Sequence, residues 1–187
     1  MSTLPPALAG PVTVELAKAA ETIPGERSMR GGSIYELKWD GYRLVIVRTN
    51  QGARLWSRNG KDLTGRFPDI AAAAQAQLPA GAVVDGEVVI WHRDRLSFDH
   101  LQRRLVSGLS RVASVARAHP ASFVGFDLLA REGSDLRANP WRQRRDALED
   151  WRVAGGRRCS CPHTPAAGPR PSSGSTTIDP PGWKGWW

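Results

Sequence analysis

Two runs of strand-forming residues, YRLVIVRT (42–49) and ARLWSR (53–58), flank the turn Asn50-Gln51-Gly52, and this pairing constrains the fold more than any other stretch. A hairpin there commits the sheet to antiparallel neighbours. Further on, AVVDGEVVIW (82–91) reads as a strand closed by the polar turn His92-Arg93-Asp94-Arg95, and SFVGFDLLA (122–130) reads as another. Between the hairpin and the first of these, Phe67, Ile70, Ala71, Ala74 and Leu78 recur at helical spacing. SFDHLQRRL opens a second helix with Ser97 as its N-cap, a third is predicted near 111–118, and a fourth runs from Pro140 to about Trp151. A short helical pattern also covers Val14 to Ala20. Strands that arrive in hairpins, separated by single helices, make the fold class α+β and not a regular β-α-β array. The expected division is a leading segment over 1–32, a domain over 33–150, and a tail rich in Pro, Gly and Arg over 151–187.

A chain of 187 residues has room for one domain with a sizeable core, or one domain and an appendage. Its start, MSTLPPALAG, lacks the charged-then-apolar plan of a signal peptide, no apolar run reaches a membrane span, and the expected location is the cytoplasm. The net charge of +8 points only weakly to nucleic acid, because half of the excess lies in the tail, which holds 5 basic residues against 1 acidic. Cys159 and Cys161 form a lone C-X-C, too little for a disulfide framework or a zinc site.

The stretch YELKWDGYRLVIV sets one lysine, Lys38, among aromatic and apolar residues, ahead of Asp40-Gly41 and Arg43. A lysine attacks only as the free amine, and an apolar setting with a cation nearby favours that form. If residues 36–38 are a strand, Glu36 and Lys38 share one face, and the Asp-Gly turn brings Arg43 back toward the same pocket. An arginine there offers a planar fork to phosphate or ribose oxygens. The competing reading is an ordinary strand whose lysine reaches solvent. Taken singly, Phe126 reads as core, Glu87 as a solvated strand residue and Arg58 as an edge-strand cation.

KWDGYR nevertheless resembles the nucleotidyl-transfer motif of ATP-dependent DNA ligases and mRNA capping enzymes, and the following segments keep that superfamily's order. LWSRNGKDLT is similar to the ligase segment with a phosphate-contacting arginine, here Arg58; VVDGEVVIW to the strand bearing a ribose-binding glutamate, here Glu87. FVGFDLLA resembles the strand whose phenylalanine, here Phe126, stacks on adenine, and PWRQRRDALED the arginine-rich helix of bacterial ligases. The leading LPPALAG is similar to the segment that opens those domains, so the resemblance runs over roughly residues 4–150. It implies the N-terminal part of a covalent nucleotidyltransferase (ATP-grasp-like) adenylation domain, with antiparallel sheets and flanking helices. It implies Lys38 as the nucleophile that takes AMP from ATP with the help of a divalent metal, Mg or Mn. Glu36 would accept from the adenine amino group, and Arg43 and Glu87 would hold the ribose. AMP would pass to the 5'-phosphate of nicked double-stranded DNA and be displaced by the 3'-hydroxyl, in repair or recombination, by a monomer with no membrane partner. An RNA ligase or capping-type transferase shares the lysine chemistry, and a catalytically silent nucleic-acid-binding fragment is the reading from another class.

The tail departs from the family pattern. Relatives continue after residue 150 with a Glu-Gly-Val-Val strand, a lysine-bearing strand and usually an OB-fold domain; here about one third of residues 151–187 are Pro or Gly, and Val153 and Ile178 are the only aliphatic residues beyond alanine. Such a composition predicts disorder. Tryptophan has the single codon TGG, so WKGWW read one base earlier is compatible with Glu-Gly-Val-Val, and the expectation is a frameshift between about residues 150 and 160. On that expectation the chain is poorly soluble and seals nicks weakly or not at all.

Overall fold

A computed structural model describes residues 4–28, 32–154 and 176–178. After a 3-10 turn at Pro6–Leu8 the described residues have no regular structure until β1 (Tyr42–Thr49), which is followed by β2 (Gly52–Ser57) and, past a 3-10 turn, α1 (Pro68–Gln77). There follow β3 (Ala82–His92), β4 (Arg95–Leu96), α2 (Phe98–Val106), α3 (Leu109–Ala118), β5 (Ala121–Arg131), β6 (Ser134–Asp135), α4 (Trp141–Ala154) and β7 (Thr176–Ile178). The strands form one sheet in the order β2-β1-β3-β5-β6, with β4 added to β3 and β7 to β5, and its pairings are antiparallel. The antiparallel α+β expectation is met, and the predicted hairpin and four later helices form where the pattern puts them. The tail expectation over 151–187 concerns residues that lie outside the described ones, apart from residues 151–154, which are helical and end α4, and Thr176–Ile178, which run antiparallel to Phe123–Gly125 of β5. No helix among the described residues is long and apolar enough to cross a membrane.

Local chemistry explains the punctuation. The β3–β4 turn needs two consecutive residues at positive φ, as two-residue hairpins of right-handed twist require, and Arg93 and Asp94 supply φ of 48° and 65°. Pro68 opens α1, where a missing N–H costs nothing. Ser97 caps α2 by accepting from the His100 amide, as its position predicts.

The sheet has two differently covered faces. On one, Leu44, Ile46, Val84, Val88, Phe123 and Leu128 pack against Ile70, Ala73, Ala74, Leu101 and Leu148 of α1, α2 and α4. On the other, Val45, Val47, Val83, Leu129 and Ala130 are covered by Leu8 and Val12 of the leading segment. Each fully buried Val, Leu, Ile or Phe side chain among these contributes about 1.5–3 kcal/mol. The helix predicted over 14–20 does not form. Val12 and Val14 both pack on this second face, and residues two apart share a side only in extended chain, so anchoring them selects extension over helix.

Along that second face the apolar rows do not run the length of the strands. Alternation puts Arg43 in line with Val45 and Val47 on β1, and Asp85 and Glu87 in line with Val83 on β3. The polar end of this face is the candidate site. Glycine is required just beneath it. A Cβ on Gly86 would lie 2.4 Å from the Phe123 ring and 2.4 Å from the Val124 carbonyl, so only glycine lets β3 and β5 close up there.

At the opposite end of β3, His92 stacks on His100 of α2 with ring centroids 4.7 Å apart, and His119 after α3 lies 3.9 Å from His100. Loss of solvent first, and then repulsion from neighbouring imidazoles and Arg103, hold the His100 and His119 pKa values below the ordinary histidine range.

Candidate active site

Antiparallel register places Arg43 directly opposite Glu87, while its side chain reaches diagonally to Asp85. Arg43 donates to both Asp85 oxygens, Nε at 3.2 Å and Nη2 at 2.7 Å. Asp85 is almost fully buried, and burial raises its pKa while the Arg43 fork and the Gly86 amide pull it back. The same contact raises the Arg43 pKa.

Phe126 reaches this pair through a register shift. Asp85 pairs with Asp127 but Gly86 pairs with Gly125, so Phe126 is the additional residue of a bulge in β5. Half-buried there, its ring has the Arg43 guanidinium carbon 5.6 Å from its centroid. The bulge also sets Asp127 beside Asp85. Two carboxylates so placed repel, and each has its own arginine: Asp127 accepts from Arg144 Nε and Nη2 at 2.8 Å. The next residue of α4, Arg145, donates to the Phe126 carbonyl at 3.1 Å and lies 3.1 Å from the Glu36 carboxylate. One helix thus fixes both the bulge and the arm that carries the lysine.

That arm is not a strand. Residues 33–40 have no regular structure, and β1 begins only at Tyr42. No ladder partner among the described residues enforces the expected alternation, and the buried-strand setting expected for Lys38 is replaced by exposed chain, with Leu37 76% exposed. The arm meets the sheet at Gly41, whose amide bonds the Glu87 carboxylate. A Cβ on Gly41 would stand 2.5 Å from the Val88 carbonyl, a distance no side chain tolerates. Lys38 is exposed, yet electrostatically coupled to Glu87.

Lys38, Arg43, Glu87 and Phe126 are therefore linked pairwise, and Glu36 joins them through Arg145. Arg58 is not drawn in: it sits exposed in the turn after β2, with no ion pair among the described residues. Sequence reading missed Asp85, Asp127, Arg144 and Arg145 as the frame of the site. The signal was present, since Asp85 and Asp127 are the single acidic residues embedded in apolar parts of VVDG and GFDLL.

Glu87 Oε2 is buried and has no hydrogen-bond partner among the described residues. Such an oxygen suits a ligand hydroxyl, because leaving it unpaired costs about 1–3 kcal/mol. The carboxylates of Asp85, Asp127 and Glu36 are by contrast engaged by arginines, so these residues do not present a ready ligand set for a divalent cation. Burial is the largest influence on Glu87 and raises its pKa above the ordinary 4.5, against the pull of Lys38 and Arg43. The folded chain thus binds this proton more tightly than the unfolded chain, and the associated stability is lost as pH rises through the folded pKa. Glu87→Gln is expected to raise the thermal midpoint at neutral pH, with the gain fading as pH falls toward 4.5. Melting curves across roughly pH 4 to 8 check this, and a lowered midpoint at neutral pH contradicts it.

Comparison with known proteins identifies the family. The family described as ATP dependent DNA ligase domain matches residues 8–161. DNA ligase C of Mycobacterium tuberculosis is 41% identical over 140 residues, covering 75% of this chain and 37% of that protein. DNA ligase C2 of Mycolicibacterium smegmatis is 41% identical over 139 residues, covering 74% and 38%. The chain thus spans well under half the length of these curated relatives. The crystal structure of the ligase domain from M. tuberculosis LigD superposes with a TM-score of 0.50 at 32% identity, over 63% of this chain and 35% of that one. The chain belongs to the ATP-dependent DNA ligase domain family.

Proposed function

We propose that this chain carries the adenylation chemistry of a DNA ligase, with Lys38 as the nucleophile. The free amine attacks the α-phosphorus of ATP. A P–N bond forms, the P–O bond to pyrophosphate breaks, and the ammonium proton goes to solvent or a nearby carboxylate. The result is a lysyl-AMP phosphoramidate. Arg43 and Glu87 take the ribose hydroxyls, the guanidinium as donor and the orphaned Glu87 oxygen as acceptor. The purine lies on the face of Phe126 that Arg43 leaves uncovered, and Glu36, steadied by Arg145, accepts from its amino group. A divalent metal, Mg or Mn, would neutralise charge on the phosphates when bound, arriving with the nucleotide because the arginine-paired carboxylates do not hold it. Phosphoryl transfer depends mainly on positioning and charge, so the exposed Arg58 acts once a triphosphate gives it a partner. The AMP is destined for the 5'-phosphate of nicked duplex DNA.

One observation carries the reading: the family's ordered motifs converge, so that Lys38, Glu87, Arg43 and Phe126 form one linked cluster on the polar end of the sheet. The test is incubation with ATP labelled at the α-phosphate, followed by denaturing electrophoresis and peptide mapping. Acid-labile label on the Lys38 peptide, from ATP and not from GTP, is the expected result. Label from GTP alone points to capping-type chemistry, and no label with either nucleotide removes the catalytic reading.

A further inference from the structure

Three of the chain's four histidines come together far from the nucleotide cleft. His92 closes β3, His100 lies in the first turns of α2, and His119 caps the end of α3. Sequence separations of 8 and 19 residues give no local reason for them to meet. Yet each is half-buried, and each offers a ring nitrogen within 4.8 Å of the others. His92 is five residues along β3 from Glu87, about 17 Å at the rise of an extended strand.

We propose that His92, His100 and His119 form a transition-metal site, with Zn²⁺ as the ion the donor set fits. Three neutral imidazoles are the ligand set of tetrahedral zinc centres that keep a fourth position for water or an anion. Zinc–nitrogen bonds of about 2.0–2.1 Å put the nitrogens about 3.4 Å apart, so the rings close by no more than about 1.4 Å. Histidines at the end of a strand and on two surface helices accommodate that by side-chain rotation.

The surroundings resemble those of a built ligand. The Ser97 hydroxyl lies 2.7 Å from His100 Nδ1, which fixes the ring and leaves Nε2 for the metal. Metal-bound histidines usually have their second nitrogen held in this way. The pocket beside His100 and His119 is also lined by Arg103 and Arg111, cations that suit an anion or hydroxide as fourth ligand. Occupied, the site ties α2 and α3 to the end of β3. It is a structural clamp and takes no part in Lys38 chemistry, so it stands independently of the proposed adenylation.

The full chain serves for the test, with Co²⁺ as a visible probe and Zn²⁺ as competitor. One cobalt per chain is expected, with d–d absorption of tetrahedral intensity that zinc bleaches. It persists in the Cys159→Ser/Cys161→Ser variant and weakens at least ~100-fold in His119→Gln, whereas loss of the outer partner in Ser97→Ala costs about tenfold. In the unaltered protein, imidazole resonances of His92, His100 and His119 should shift together on zinc addition while His163 does not, a readout that needs no variant to fold. Metal binding unchanged by His119→Gln, thiolate charge-transfer bands lost with the cysteines, or stationary imidazole resonances would each overturn the site.

Discussion

Lys38→Arg is expected to abolish formation of the AMP adduct, a loss of at least ~1000-fold in labelled protein, while leaving the fold intact. The substitution keeps a cation facing Glu87 but replaces an amine with a guanidinium, which holds its proton under all relevant conditions and has no free lone pair. Because residue 38 is exposed on an arm without ladder hydrogen bonds, the midpoint of unfolding should move by no more than about 0.5 kcal/mol in stability. Circular dichroism and adduct labelling on the same sample separate the two effects. Adduct that survives in the arginine variant assigns the nucleophile elsewhere.

The second large effect concerns the core. Arg104 of α2 is fully buried, with both Asp69 oxygens within 2.8–3.1 Å and the Phe67 ring centroid 5.3 Å from its guanidinium carbon. Asp69 also accepts from the Ala121 amide at 2.9 Å, so one carboxylate joins α1, α2 and the start of β5. Arg104→Ala leaves that carboxylate nearly buried without its counter-ion, and the chain should lose about 3–5 kcal/mol. That is a large part of the stability of any single domain. Urea unfolding monitored by tryptophan fluorescence measures it. A loss below about 1 kcal/mol means that water reaches Asp69 and replaces the arginine.

The frame of the molecule was readable because it rests on periodicity and punctuation. The alternation and turn around Gln51-Gly52, the helical spacing from Phe67 to Leu78 and the cap at Ser97 are local signals, and the structure keeps each of them. What escaped depends on pairing between distant segments. The arm at 33–40 carries a strand-like sequence, but no strand among the described residues pairs with it in a ladder. The Phe126 bulge exists only as a register difference between β3 and β5, and the arginine frame only because α4 folds back onto that bulge. The three histidines were invisible for the same reason, since nothing in their spacing foretells that three elements end at one place. Arg58 marks the opposite case: its motif is local and legible, and it has no ion pair among the described residues.

Under the proposed adenylation, the unladdered arm bears on how a polymer would reach Lys38. A nucleophile rooted in the floor of a cleft obliges any second substrate to enter behind the first, whereas an amine on exposed chain presents its cargo outward. With one end packed tightly against β3 at Gly41 and the Glu36 carboxylate paired with Arg145, the exposed segment between them would, under the proposed adenylation, offer its AMP to a duplex from the solvent side.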